Sequence, residues 1–319
     1  MIRTDWTLDE IQTIYNLSFP ELIYRAMTVH RQFHDPQKMQ LCTLLNIKTG
    51  GCPEDCKYCS QSVHYDTGLE KEKLLDIQNV MECAKKAQAN GSVRFCMGAA
   101  WREVKNGVDF EKVLNMVRAV HALGMEVCVT LGMLTQEQAL RLKDAGLTAY
   151  NHNLDTSREF YPEIITTRTY DDRLQTLQNV RQAGISVCSG GIIGMGESII
   201  DRLKLILEYA GMNPHPESVP INMLVKIPNT PLAKAEPLTS VELIRLIALT
   251  RIVLPKSIVR LSAGRTEISD ETQMLCFLAG ANSIFTGEKL LTTPNPGQDQ
   301  DQSLLERLGM RPISQETHY

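Results

Sequence analysis

From about Leu44 onward the chain repeats one rhythm, in which a short strand-like run is followed by a segment of helix length. Eight such runs can be read: "TLLNI", "SVRFCMG", "MEVCVTLG", "LTAYNHNL", "ISVCSGGIIG", "ESVPINMLV", "SIVRLSAG" and "NSIFTG". Amphipathic stretches such as "LLDIQNVMECAKKAQANG" and "DFEKVLNMVRAVHALG" lie between them, the second ending at Gly124 where a left-handed helix cap fits. Strands that alternate with helices are joined by crossovers and therefore run parallel. Eight units in roughly 250 residues predict an α/β fold of the (β/α)8, TIM-type barrel class. A doubly wound open sheet stays as the second reading, because periodicity does not say whether a sheet closes.

Residues 1–40 read as a helical lead-in to a barrel spanning 41–293. Within it, "SFPELIYRAMTVHRQF" carries a capping-box pattern, Ser18 followed three residues later by Glu21, with Pro20 in the first turn. Residues 294–319 form a polar tail with one short helical piece, and its last residues should be mobile. The N-terminus, "MIRTDWTLDEIQ", has no basic segment leading into an apolar run, and no stretch approaches the roughly 20 apolar residues of a spanning helix. A formal net charge of -4 with no lysine-arginine block argues against nucleic acid or an anionic membrane as partner, and in favour of small molecules. The expected location is the cytoplasm. In a reducing compartment, nine cysteines point to metal or redox chemistry rather than to disulfides.

Three of those cysteines, Cys52, Cys56 and Cys59, fall in the polar loop "GGCPEDCKYCSQS" just after the first strand. That position is the C-terminal face of a barrel, where active sites lie. A structural zinc site would need a fourth ligand, for which His64 is the nearest candidate but oddly spaced. A ferredoxin-type site would need a fourth cysteine and a different spacing. The remaining reading is a [4Fe-4S] cluster with one iron left open to a small molecule.

Further along, polar groups recur on one strand face: Arg94 with Cys96, Cys128 with Thr130, Ser186 with Cys188, then Asn151, Asn153 and Asp155, and later Asn222, Arg260 and Ser262. Residues i and i+2 share a face, so successive strands aim polar groups into one interior. A buried guanidinium at Arg260 needs an anionic partner. Cys42, Cys83 and Cys276 read as ordinary small apolar residues, and His152 should face away from its asparagine neighbours.

The cysteine triplet, with Tyr58 before its last member, resembles that of the radical S-adenosylmethionine enzymes. With "RFCMGAAW", "YNHNLDT", "IITTRTY", "VCSGGIIGMGE", "VPINMLV", "VRLSAGR", "CFLAGANSIF" and "KLLTTPNP", the likeness extends over nearly the whole chain and is to the biotin synthase family. The resemblance implies a sulfurtransferase that inserts sulfur into dethiobiotin. In that family, reductive cleavage of S-adenosylmethionine gives a 5'-deoxyadenosyl radical, and a [2Fe-2S] cluster donates the sulfur. It implies Cys52, Cys56 and Cys59 as ligands of the [4Fe-4S] cluster, and Cys96, Cys128, Cys188 and Arg260 as ligands of the [2Fe-2S] cluster. Tyr58, Gly98, Ala99, Ala100, Asn153, Asp155, Arg173, Gly194 and Glu197 would serve S-adenosylmethionine, with Arg173 suited to its carboxylate. Asn151, Asn153, Asn222, Thr292 and Thr293 would serve dethiobiotin. The same resemblance implies a homodimer, a flavodoxin- or ferredoxin-type electron donor, and iron-sulfur assembly machinery as partners.

Two other readings remain at this stage. A related barrel enzyme could use the radical for rearrangement or cofactor maturation, but would have no use for Cys96, Cys128, Cys188 and Arg260. A non-catalytic iron-sulfur electron-transfer protein would need no polar barrel interior.

Overall fold

The computed structural model describes residues 2–314. The parallel strands run in chain order as β1 (Lys38–Lys48), β2 (Arg94–Ala99), β3 (Glu126–Thr130), β4 (Ala149–Asn151), β5 (Ser186–Cys188), β6 (Gly191–Ile193), β7 (Ser218–Met223), β8 (Ile258–Leu261) and β9 (Ser283–Phe285). Strand β1 pairs with β2 on one side and β9 on the other, which closes the barrel and rules out the open sheet. The run "ISVCSGGIIG" accounts for both β5 and β6, broken at Ser189–Gly190, and β6 continues the wall by pairing with β7. Gly190 permits that break: a Cβ there would stand 1.8 Å from the carbonyl oxygen of Pro220.

The crossovers return as helices whose starts are written locally. Thr135 with Gln138, Thr169 with Asp172, Ser198 with Asp201 and Thr239 with Glu242 each form reciprocal capping boxes. The Ser18–Glu21 pattern does not. Ser18 makes no side-chain cap bond, and Glu21 instead accepts from Arg25 Nε at 2.6 Å, one turn along the helix Phe19–Phe33. A capping box does open the preceding helix, Leu8–Tyr15, at Thr7 and Glu10. These two helices pack on the outer helices Ile199–Ala210 and Ser240–Val253. Gly124 takes φ 79° just past the helix Val108–His121, as its position suggested.

Past the barrel, the helix Gln298–Arg307 is docked rather than free. Its Asp301 is buried and accepts from Arg265 Nη1 at 3.2 Å, and Leu304 and Leu305 are buried beside it. Arg311–Pro312 then pairs with the start of β1. The expected mobility of the chain's last residues concerns 315–319, which lie outside the described residues. Among the described residues, no helix is long and apolar enough to cross a membrane.

Candidate active site

A cavity of about 310 Å³ runs down from the C-terminal face of the barrel, and both sets of cysteines line it. At its mouth, Cys52, Cys56 and Cys59 follow β1 in a loop closed on itself, Cys59 N donating to Cys56 O at 3.0 Å and Cys52 N to Gln61 O at 3.0 Å. The stretch 164–168 clamps this loop from outside. Buried Glu54 accepts from Arg102 Nη1 at 2.9 Å and lies 3.6 Å from Arg168 Nε. Asp55 accepts from the backbone N–H of Thr166 at 2.9 Å and of Thr167 at 3.2 Å. Burial opposes its charge, yet these hydrogen bonds hold the carboxyl down at about 2. His64 turns Nε2 to the carbonyl of Pro53 at 3.1 Å, so its ring is engaged within the loop. Burial pushes Cys56 up to about 12 and Cys59 up to about 11. Such thiols ionise only when a cation compensates, as a metal ligand's does.

Deeper lies a second layer, assembled by strand register. Cys96 on β2 stands directly across from Cys128 on β3. Cys188 on β5 is in register with Asn151 on β4 and with Ser218 on β7. Arg260 on β8 is in register with Ser283 on β9. All four are 4 % exposed or less. Hydrogen bonds shared with Cys128 lower the pKa of Cys96 and of Cys188 and raise that of Cys128. Arg260 donates to Cys188 Sγ at 3.8 Å, to Ser283 Oγ at 2.9 Å, to Gln40 Oε1 at 3.3 Å and to Cys42 Sγ at 3.2 Å. Cys42, expected to be inert packing, is therefore part of this layer. Cys83 is instead exposed, and Cys276 is buried.

The layer's donors fit an anionic sulfur-rich group. Arg94 reaches Glu126 through Nε at 2.8 Å, but among the described residues its buried Nη1 has no hydrogen-bond partner, nor has the buried hydroxyl of Ser218. Burial works against the charge on Arg94, and Glu126 followed by the neighbouring thiolates holds it well above its usual value. Two cationic side chains and an orphaned hydroxyl around soft thiol ligands suit an iron-sulfur cluster and serve no packing purpose.

Between the two layers, Asp155 bridges loop and barrel. Tyr58 donates to it at 2.7 Å and Arg173 Nη2 at 2.5 Å, while Asp155 itself takes φ 68°. Arg173 also donates to Tyr161 Oη at 2.7 Å and to the carbonyl of Asn153. The guanidinium expected to meet a ligand carboxylate spends three of its five N–H groups within the protein and still borders the cavity. Asn151 donates to Asn153 Oδ1 at 3.1 Å and to Cys188 Sγ at 3.4 Å, and Asn222 donates to Gly191 O at 2.9 Å.

The last predicted contacts, Thr292 and Thr293, sit in a hairpin over the mouth, formed by Lys289–Leu290 against Thr293–Pro294. Thr292 Oγ1 is 2.7 Å from Ser60 Oγ of the cysteine loop. Leu291, at the hairpin's tip, leans on Gly98, where a Cβ would meet its Cδ2 at 2.9 Å. Ala99 and Ala100 border the cavity, whereas Gly98, Gly194 and Glu197 do not. Glu197 turns inward on its own loop, accepting from Gly194 N at 2.8 Å, Met195 N at 2.7 Å and Arg202 Nε at 2.6 Å. It shapes the glycine loop rather than the pocket.

Among the residues that border the cavity without having been assigned a role from the sequence are Arg168, Trp101 and His152. Arg168 falls in "IITTRTY" and Trp101 ends "RFCMGAAW", so both lay inside stretches already singled out. His152, expected on the opposite face, stands beside the ring of Tyr150 (centroids 6.3 Å apart) yet still borders the cavity.

A cysteine triplet at the mouth of a parallel barrel, above a cavity lined by strand-borne polar groups, defines the radical S-adenosylmethionine class of enzyme. Residues 46–210 match the Radical SAM superfamily, and residues 220–311 match the Biotin and Thiamin Synthesis associated domain. The chain is 61% identical over 312 residues to a protein named biotin synthase from Sorangium cellulosum (strain So ce56), covering 98% of this chain and 89% of that protein. It is 60% identical over 311 residues to a biotin synthase from Cytophaga hutchinsonii, covering 98% and 92%. The chain belongs to the biotin synthase family. Among solved structures, methylornithine synthase superposes with a TM-score of 0.81 at 18% identity, covering 97% of this chain and 95% of that one. The FeFe-hydrogenase maturase HydG from Carboxydothermus hydrogenoformans gives 0.80 at 18% identity, covering 96% and 76%. At that identity these two speak for the barrel alone.

Proposed function

We propose that this chain carries out the reaction of its family, inserting sulfur into dethiobiotin to form biotin, with Cys52, Cys56 and Cys59 holding a [4Fe-4S] cluster and Cys96, Cys128, Cys188 and Arg260 holding a [2Fe-2S] cluster. The observation that carries the assignment is the presence of two cysteine sets at two depths of one cavity. When bound, S-adenosylmethionine and the clusters supply the 5'-deoxyadenosyl radical and the sulfur, which ordinary side chains cannot provide at unactivated carbon.

The protein's own part is placement and exclusion of water. Ala99 and Ala100 border the mouth beside the triplet, where backbone can approach the methionyl end of S-adenosylmethionine; Asn153 and Asp155 suit its ribose. Tyr58 and Arg173 fix the Asp155 carboxylate, so they position that contact rather than make it. Asn151 and Asn222 present amides to a polar ring such as the ureido group of dethiobiotin. Thr292 and Thr293 stand where its carboxylate tail would emerge, and the hairpin that carries them covers the mouth.

The same reading takes the chain as a helical lead-in (1–40), a catalytic barrel (41–293) and a tail (294–319). It acts in the cytoplasm as a homodimer, receives electrons from a flavodoxin- or ferredoxin-type protein, and obtains its clusters from iron-sulfur assembly machinery. Anaerobic reconstitution with iron and sulfide, followed by dithionite, S-adenosylmethionine and dethiobiotin, tests the assignment. Biotin should appear together with loss of the [2Fe-2S] absorption. 5'-Deoxyadenosine without biotin would move the chain to a rearrangement or maturation chemistry on the same barrel.

A further inference from the structure

Of the three cysteines outside the two ligand sets, Cys42 alone has chemical company. Cys83 is exposed, and burial pushes Cys276 up to about 12 with no charged group opposing it. Cys42 is fully buried on β1, its Sγ 3.2 Å from Arg260 Nη2, 3.6 Å from Gln40 Oε1 and 3.7 Å from Ser283 Oγ.

Register places it between two of the residues assigned to the second cluster. Arg260 is aligned with Ser283, and Ser283 with Gln40, so Arg260 belongs to the level of Gln40. Cys96 is aligned with Leu44. Cys42 is the inward position between Gln40 and Leu44 on the same strand, because alternate residues share a face. One arm of the Arg260 guanidinium reaches Cys42 and the other reaches Cys188. A soft thiol thus stands one guanidinium away from a Cys ligand, at a level between two ligand positions.

The two candidates for the fourth ligand differ in kind. A guanidinium is ordinarily protonated and must give up a proton to bind iron, whereas a thiolate is the ordinary ligand of iron-sulfur clusters. We propose that Cys42 is a fifth donor of the [2Fe-2S] site, held off by its hydrogen bond from Arg260 and able to ligate the cluster in place of that arginine. The exchange is a ligand substitution: the Fe–N bond to Arg260 would break as the Fe–S bond to Cys42 forms, the thiol proton passing to the departing guanidine and restoring its guanidinium, and nothing is oxidised or reduced. This inference rests on the assignment of the second cluster to this layer.

Metal content separates the outcomes without reference to turnover. The unaltered protein, Arg260→Ala and Arg260→Ala/Cys42→Ser are reconstituted anaerobically and compared by iron and sulfide content, visible absorption and the spin-resonance signal of the reduced clusters. Arg260→Ala should keep the second cluster, with a spectrum changed toward all-thiolate ligation. The double variant should hold it about 10-fold less well or worse, since even outer-shell losses weaken metal sites on that scale. Retention of the [4Fe-4S] signal in every variant reports that the barrel has folded. Equal loss in the single and double variants, or equal retention, overturns the proposal. If the unaltered protein takes up only the loop cluster, the underlying assignment falls, and this inference with it.

Discussion

The cysteine loop and the thiol layer hold sulfur ligands by opposite means. In the loop, three cysteines lie within one short turn-rich segment, and their arrangement is set by bonds between near neighbours such as Cys59 N to Cys56 O. The rest of the molecule holds the loop in place from outside, through Glu54 and Asp55 to Arg102 and the 164–168 stretch, Tyr58 to Asp155 and Ser60 to Thr292. In the layer no two ligands share a strand, and Cys96 meets Cys128 only because β2 and β3 pair in one register. A loop site is thus robust to the fate of distant elements, whereas a strand-built site exists only once the barrel has closed.

Ligand removal should separate the two most sharply. Cys56→Ala should abolish both 5'-deoxyadenosine and biotin, each by more than ~100-fold, beyond the range typical of outer-shell partners. Cys188→Ala should lose biotin as completely while still cleaving S-adenosylmethionine; loss of both products would mean that the sites do not work separately. Next in size is the bridge between the regions. Asp155→Ala leaves the Arg173 guanidinium buried and unpaired, with a cost of about 3–5 kcal/mol, readable as an earlier thermal transition in the cluster-free protein; an unshifted transition would deny the bridge its role.

Glu54→Gln tests the clamp alone. Its contact with Arg102 is partly exposed on the arginine side, so about 2 kcal/mol is the upper end of the expected loss. The effect should appear as poorer retention of the [4Fe-4S] cluster with the [2Fe-2S] content unchanged; parallel loss of both would show that the clamp serves the whole barrel. The smallest effect belongs to Ser218→Ala. Replacing an unpartnered buried hydroxyl should shift the stability of the cluster-free protein by no more than about 1 kcal/mol, in the stabilising direction; a large loss in the melting profile would mean that the hydroxyl has a partner after all.

Legibility in the sequence follows the same division. The loop triplet is contiguous, so its spacing could be read directly, and the eight strand runs gave the barrel through periodicity. Alternation also placed Arg94, Cys96, Cys128, Cys188 and Arg260 on inward faces, but alternation cannot say which residues of different strands share a level. Register decides that, and it is why Cys42, in the apolar run "MQLCTLL", looked inert beside partners that come from β8 and β9. The protein partners of Arg173 and the inward turn of Glu197 were hidden for a related reason. Their partners, Asp155, Tyr161 and Arg202, are found only when helices and loops fold back on the strands.

Arg94 Nη1 and the Ser218 hydroxyl, buried with no hydrogen-bond partner among the described residues, couple the stability of the barrel to whatever group fills the thiol layer. Any group that satisfies them binds the native chain and not the unfolded one, so by mass action it raises the melting temperature along with its own concentration. The cluster-free protein should therefore melt at a lower temperature than the reconstituted one.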